Sequence, residues 1–431
     1  MNTWFRNIWL PLLLMLSLWG LNNTGIAADP EDAAPSDPVR DRAMGGDKAA
    51  QLELGNRYFF GDRRTRNYTI AAWWYRKAAQ QQCHEAQFNL GICYENGWGV
   101  ERSRYQAFCC YRQAAEGHIP PAMLNLAIAY LHGIPAAGEG KQKEPAVPPD
   151  RAKAFKLLTE LKQRDFMPAY RVLAEWYLSV DPDEQTPDDL KKAFENAEYA
   201  AKGGDAAAMR ILADCYYLGR GCAPDHAAMR RWIERAAAQG VPEALAKLGW
   251  CYEYGNGGRI DENKAFELYR RAAEAGLPMA MTKMGDCYMV GKFVPQDVGK
   301  AREWYEKAMA RNNNQAVFRL GVIYAQGLGV TADHRRAAEY FLRAARGGNT
   351  HAQFNVGCYF LDGRGIPADP GAAVYWFTKA AQSNDIRAQR RLGICYLKGI
   401  GVEKNLAEGA KWLEKAAARG DAEAMQLLSR E

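Results

Sequence analysis

Histidine is scarce in this sequence: six in 431 residues, scattered, with Cys83–His84 the only Cys–His neighbours. Zinc needs clustered thiolate and imidazole ligands, so no metal site is expected. There is no HExxH, no CxxC pair, no GxGxxG after a strand and no serine-x-x-lysine. Their absence removes the local signatures of zinc hydrolysis, dithiol exchange, dinucleotide binding and serine acylation. No paired carboxylates stand beside a positioned nucleophile, so neither catalysis nor a cofactor is expected. An excess of one charge is missing as well. Lys and Arg total 56 against 50 Asp and Glu, a net +6, and the two signs are interspersed. Nucleic-acid binders carry a basic stripe, and without one a nucleic-acid partner is excluded.

Long apolar runs are confined to one. IWLPLLLMLSLWGL, 14 residues, follows Arg6 and precedes the small-residue stretch GIAAD. It is shorter than a membrane-spanning helix requires. A basic start, an apolar run and a small-residue exit are the layout of a secretory signal peptide. Residues 1–28 are therefore expected to be cleaved after Ala27 or Ala28. That leaves an exported chain, periplasmic or secreted, with no membrane insertion; an uncleaved anchor is the alternative. No cysteine follows the run, which argues against a lipid anchor. Residues 29–46 are rich in Pro, Asp and Ala without a periodic apolar stripe. They are expected to form a disordered linker.

From Ala50 onward one phrase recurs. Its leading alanines are Ala50, Ala86, Ala122, Ala169, Ala208, Ala244, Ala280, Ala316, Ala352, Ala388 and Ala424; eight of the ten spacings are 36 residues and the others are 47 and 39. A fixed period in this range means stacked structural repeats. Each copy opens A-x-x-x-[LMV]-[GA]-x-x-[YF], which puts positions 1, 5 and 9 on one helical stripe. The small sixth residue (Gly55, Gly91, Gly249, Gly285; Ala127, Ala174, Ala213) is expected to admit a neighbouring backbone. That would offset the ~0.5–1 kcal/mol a glycine costs a helix. A G-x-G, as at Gly97/Gly99 and Gly327/Gly329, then ends the helix.

At one fixed place stand Asn67, Ser103, Asp150, Asp189, Asp225, Asp261, Asp297, Asp333, Asp369 and Asn405, all favoured N-cap types. A second helix with the pattern K-A-x-x-[WY]-[YF]-x-x-A-A follows each. One helical pair leaves a face bare, and stacking covers it. Residues 47–431 are thus expected to be a single α-solenoid of ten pairs, closed by a bare first helix, AEAMQLLSRE. Repeat three carries an insertion, Ala136–Pro149, expected to protrude as a loop between its helices.

The stretches LGICYENGWGV (Leu90–Val100) and LGVIYAQGLGVTAD (Leu320–Asp333) resemble the Sel-1-like repeat family, relatives of the tetratricopeptide repeats. The resemblance runs from Ala50 to Glu431. It implies an all-α, right-handed superhelical solenoid that serves as a non-catalytic scaffold for a protein or peptide partner. Envelope assembly, receptor signalling and host interaction all fit such a scaffold. Some exported cysteine-rich relatives have been associated with β-lactam binding or hydrolysis, and cell-wall binding is a further alternative.

Positions 3, 7 and 10 of the first helices point away from the 1-5-9 stripe and vary between copies. In the tetratricopeptide relatives this face lines the concave groove, and the resemblance puts the partner there. The candidates are Phe88, Ile92, Leu124 and Ile128, joined by Leu52 and Phe59 at one apolar end. A polar saddle follows, with Arg171, Glu175, Arg210, Asp214, Tyr217, Trp250 and Asp286. Phe318, Phe354 and Arg390 continue the face toward the other end. Aromatics and arginines are the residues that anchor partners. The alternatives are burial of these side chains against neighbouring helices, or a homo-dimer formed through them.

Ten cysteines in an exported chain raise the question of disulfides. Cys93, Cys215, Cys251, Cys287 and Cys395 share one slot before the helix tyrosine. Equivalent slots on packed helices lie ~8–10 Å apart, and a disulfide needs Cα atoms within ~7 Å. A row of buried thiols is expected. The bridge candidates are Cys93 with Cys109 or Cys110, and Cys215 with Cys222.

Overall fold

Apolar residues recurring at helical spacing, a capping side chain before each run and a glycine after it produce helices of one length. In the computed structural model most span 13 residues, about 20 Å. The structure describes residues 37–61, 66–137, 146–181 and 183–429. The expected signal peptide, residues 29–36 of the expected linker, part of the first turn (62–65) and the middle of the insertion (138–145) lie outside these. Among the described residues there are 22 helices and one isolated bridge, Ile134 with Val147, which closes the base of the insertion. The fold is an all-α solenoid of helical repeats.

The chain divides into two compact units, one to Arg235 and one from Ala236, the division falling within the helix His226–Ala238. The first unit holds the pairs Lys48–Phe60/Tyr68–Gln80, His84–Asn96/Arg104–Glu116, Pro120–His132/Arg151–Gln163 and Met167–Leu178/Pro187–Lys202, then Ala206–Leu218. The second holds Pro242–Tyr254/Glu262–Glu274, Pro278–Val290/Val298–Ala310, Asn314–Gln326/His334–Arg346, Thr350–Asp362/Pro370–Gln382 and Ile386–Lys398/Leu406–Ala417. The short helix Ala422–Leu428 ends it, with Leu427 and Leu428 packed on Leu413 and Ala416.

The glycine of most first helices faces a ring, whereas Gly393 meets Leu413 and the Gly409 carbonyl, and Gly249 meets both the Tyr269 ring and the Ala265 carbonyl. A Cβ built on Gly55 would sit 2.6 Å from the Tyr75 ring, and one on Gly321 would sit 2.6 Å from Phe341. Gly91 meets Tyr111, Gly285 meets Tyr305 and Gly357 meets Phe377 in the same way. These rings are buried, and a methyl group would displace them. Where alanine replaces the glycine, at Ala127 and Ala213, the same register carries the slimmer Leu158 and Ile233, both fully buried. The expected close backbone approach is found at Gly393 against Gly409; at Gly55, Gly91, Gly285, Gly321 and Gly357 it is replaced by a ring, so there glycine and ring are chosen together.

Nine of the ten expected caps accept a backbone N–H at the start of the second helix, as Asn67 does from Ile70 (3.1 Å) and Asp297 from Lys300 (2.9 Å). Asp189 does not begin its helix. Thr186 caps it three residues earlier, and Asp189 completes a reciprocal capping box. Pro187 at the first helical position favours that earlier start. Gly97 ends its helix in the left-handed conformation (φ 73°). Gly99 then lies against the Tyr68 carbonyl, where no side chain fits.

The expected linker also needs correction. Its last part is helical, Pro38–Met44, capped by Asp37. Val39 and Ala43 are buried against Ala50, Leu54 and Trp74. Gln51 Nε2 donates to the Ala43 carbonyl (3.0 Å). One repeat later Gln87 donates to Ala79 (3.3 Å), and Gln353 and Gln389 do the same to Ala345 and Ala381. Pro38–Met44 therefore occupies the place of a second helix preceding repeat one, and the described part of the solenoid includes it.

Candidate interaction face

The first-helix face is built around the rings just described. A buried tyrosine hydroxyl needs a partner, and that partner lies at position 7 or 10. Tyr75 donates to Asn56 Oδ1 (2.8 Å), Tyr111 to Glu95 Oε2 (2.5 Å), Tyr269 to Glu253 Oε2 (2.7 Å) and Tyr305 to Asp286 Oδ1 (2.7 Å). Position 4 of the next first helix then reaches the same acceptor. Asn89 donates to Asn56 (3.2 Å), Lys283 to Glu253 (3.0 Å), and Arg319 pairs with Asp286 (2.9 Å). Each of these polar clasps ties two successive repeats. Position 4 had not been singled out in the sequence; the signal was the recurrence there of Asn89, Lys283 and Arg319.

In the first unit the apolar end opens into a cavity of about 190 Å³. Leu52, Phe59, Phe88 and Ile92 line it, as the face pattern predicts. Tyr75, Asn56 and Asn89 also line it, and Phe60, Glu85, Ile119 and Pro121 complete the wall. Phe88 stands 5.9 Å from the Tyr111 ring and Phe59 stands 6.2 Å from Tyr75. Phe60 is 39% exposed, a large apolar side chain left in water beside the cavity.

The remaining candidates divide. Leu124 is 4% exposed and belongs to the core with Leu158, Leu161 and Leu173, so it offers no surface; Ile128 is half-buried against the same core. Arg171 pairs with Glu175 (2.8 Å) and with Asp205 (3.3 Å), the cap of the next first helix. Arg210 and Asp214 are half-buried, and Tyr217 packs on His226 (5.2 Å).

In the second unit Lys247 lies 4.6 Å over the half-buried Trp250 ring. Asp286 is taken up by the Tyr305–Arg319 clasp. Phe318, 9% exposed, is core, packed 5.8 Å from Phe341. Phe354 lies under Arg387 (4.4 Å). Arg390 pins Asp421 (3.1 Å) and Glu423 (2.8 Å) at the start of the last helix. Leu124 and Phe318 thus leave the candidate set. Asp286, Arg171 and Arg390 join repeats to one another. Phe88 and Ile92 converge on one cavity.

Glu253 is the most buried acid of this face, with its side chain 1% exposed. Burial alone would raise its carboxyl. Hydrogen bonds from Lys292, Tyr269 and Lys283 outweigh that and hold it below the ordinary glutamate range. All ten cysteines are free thiols, and neither bridge candidate is closed. Burial pushes Cys93, Cys110 and Cys215 up to about 12, and Cys287 and Cys395 to about 11. At neutral pH these thiols are protonated small hydrophobes. Among the described residues no cluster of His, Cys, Asp or Glu is poised to hold a metal ion. None of the described helices is long and apolar enough to cross a membrane.

The Sel1 repeat pattern matches ten times, at residues 48–83, 84–118, 120–161, 169–205, 206–241, 242–277, 278–313, 314–349, 350–385 and 386–421. The family is in general one of non-enzymatic, protein-interaction scaffolds. Among solved structures, a Sel1 repeat protein from Oxalobacter formigenes is 30% identical with a TM-score of 0.51, covering 54% of this chain and 98% of its own. A protective antigen of uropathogenic Escherichia coli strains displaying an SLR fold is 28% identical with a TM-score of 0.47, covering 90% of this chain and 91% of its own. No curated protein sequence matches the chain. With ten matches spread over most of its length, the chain belongs to the Sel1 repeat family.

Proposed function

We propose that the chain is an exported, non-catalytic scaffold that holds a protein or peptide partner against its first-helix face, with the apolar end of repeats one to three as the principal contact. One observation carries this reading. Phe88 and Ile92, with Leu52 and Phe59, surround a cavity that the protein's own side chains leave unfilled. Apolar surface of this kind, kept at the cost of burial elsewhere, marks a contact site. Export rests on the layout of residues 1–28, and with it a periplasmic or extracellular partner.

Affinity capture from the envelope fraction of the producing cell tests the reading. The chain from Asp29 is the bait, run beside Ile92→Trp, which fills the cavity, and Trp250→Ala/Arg210→Glu, which alters the polar stretch. A partner held by the wild type and the polar variant but lost by Ile92→Trp supports the apolar end. Loss with the polar variant alone moves the contact. Edman sequencing of the exported chain is expected to begin at Ala28 or Asp29; an intact Met1 in the cytoplasmic fraction refutes export.

A further inference from the structure

The cavity of repeats one to three has a size, a polar floor and an uncompensated charge, and together they specify an occupant. Its volume is about 190 Å³. An apolar cavity of ~150 Å³ takes up a benzene, whereas small-molecule sites run to ~300–1,000 Å³. One aromatic side chain fits, and a cofactor-sized ligand does not. The wall is itself aromatic, with Phe59, Phe60 and Phe88 around the opening. Ring edges and faces there offer the tilted contacts a further ring prefers.

The floor is the Asn56–Asn89–Tyr75 clasp. Asn56 Oδ1 receives both the Tyr75 hydroxyl and the Asn89 amide. This fixes the orientation of both carboxamides and leaves the Asn56 Nδ2 and the Asn89 Oδ1 without partners among the described residues. An amide donor and a carboxamide acceptor on residues lining one cavity can meet the C=O and N–H of an extended backbone. Glu85 lines the same cavity, is exposed, and makes no ion pair with any described residue. A cation beside the anchoring ring would meet it.

Resting on the scaffold reading above, we infer that this cavity takes one aromatic side chain of an extended partner segment, with a lysine or arginine adjacent to it paired to Glu85. The probes are acetyl-Ser-(4-fluoro-Phe)-Arg-Ser-amide and its Arg→Glu counterpart, titrated into the full chain and followed by fluorine NMR. Acetyl-Ser-Ala-Arg-Ser-amide serves as a competitor. The arginine peptide is expected to shift or broaden saturably and to bind ~3- to 10-fold more tightly than the glutamate peptide. The alanine peptide should compete ~10- to 100-fold less well than the unlabelled phenylalanine form. Glu85→Lys, a surface change that leaves the fold intact, should reverse the arginine–glutamate order. Ile92→Trp should abolish binding.

Equal binding of the two charged peptides, or an order unmoved by Glu85→Lys, overturns the inference. So does self-association of the chain that Ile92→Trp abolishes while no peptide binds, which would give the cavity to a second copy. A chain that binds none of the peptides yet retains an envelope protein lost by Ile92→Trp keeps the scaffold function and sinks the peptide chemistry alone.

Discussion

Gly321 and Phe341 show how single residues fix this fold. The glycine lowers helix propensity by ~0.5–1 kcal/mol, and the ring over it is 2% exposed. Restoring the propensity with Gly321→Ala puts a methyl 2.6 Å from the ring. Overpacking of this kind costs ~1–3 kcal/mol, more than alanine returns, so the variant is expected to lose ~1–2 kcal/mol in urea unfolding. Phe341→Leu alone leaves a void and also destabilises. The double variant reproduces the Ala127–Leu158 pairing of repeat three and should lose ~1 kcal/mol less than the sum of the two singles. A coupling energy near zero would show that glycine and ring are independent. Both members were visible in the sequence, at fixed places in the phrase. Their pairing was not, because it depends on which way the second-helix side chain leans. For the same reason the expected backbone contact is a ring contact at most of these glycines and holds only at Gly393, against Gly409.

At the scale of elements, the legible part was what repeats, and the misread parts were the ends and insertions. The helix Pro38–Met44 has only seven residues and too little apolar periodicity to announce itself. Yet RAMGGDKAA, from Arg42 to Ala50, parallels AARGGNTHA, from Ala344 to Ala352, where a second helix hands over to the next first helix. Position in the repeat, not local propensity, was the signal that would have revealed it. The Asp189 cap was misplaced for the opposite reason: the repeat beat was followed across Pro187, where local chemistry starts the helix early. The N-terminal helix is expected to act as a cap. A chain starting at Asp47 loses the cover over Leu54 and Trp74, together with the bond from Gln51 to Ala43. It should be ~2 kcal/mol less stable than a chain starting at Asp37, on the burial of one valine-sized side chain and one hydrogen bond. Its tryptophan emission should also move to longer wavelength. Equal melting temperatures for the two chains would make residues 37–46 a linker after all.

Over the whole molecule, the caps and ring pockets hold the two helices of one repeat, while the clasps and the glutamine–carbonyl bonds join neighbouring repeats. The face residues expected to bind a partner were read from their place opposite the 1-5-9 stripe, their variability and the tetratricopeptide resemblance, none of which separates a side chain that greets a ligand from one that grips the next repeat. Asp286, Arg171 and Arg390 fall to the second use, whereas Phe88 and Ile92 surround space that nothing fills. Nearest-neighbour construction makes repeats interchangeable wherever the joining groups match. Repeat nine, residues 350–385, offers that test. Its removal brings Asn349 before Ile386, where its side chain can cap the new helix as Asp385 did. Gln389 takes over the bond that Gln353 makes to the Ala345 carbonyl. The shortened chain should keep its helical circular dichroism per residue and unfold cooperatively, with the urea slope reduced by about a tenth, in proportion to surface lost. Its fluoropeptide affinity should be unchanged, since the cavity lies in repeats one to three. Removing only the 18 residues 350–367 breaks the register of cap, glutamine and ring together, and that chain should unfold at lower urea than the full-repeat deletion. If the two deletions melt alike, stability does not reside in the joints between repeats.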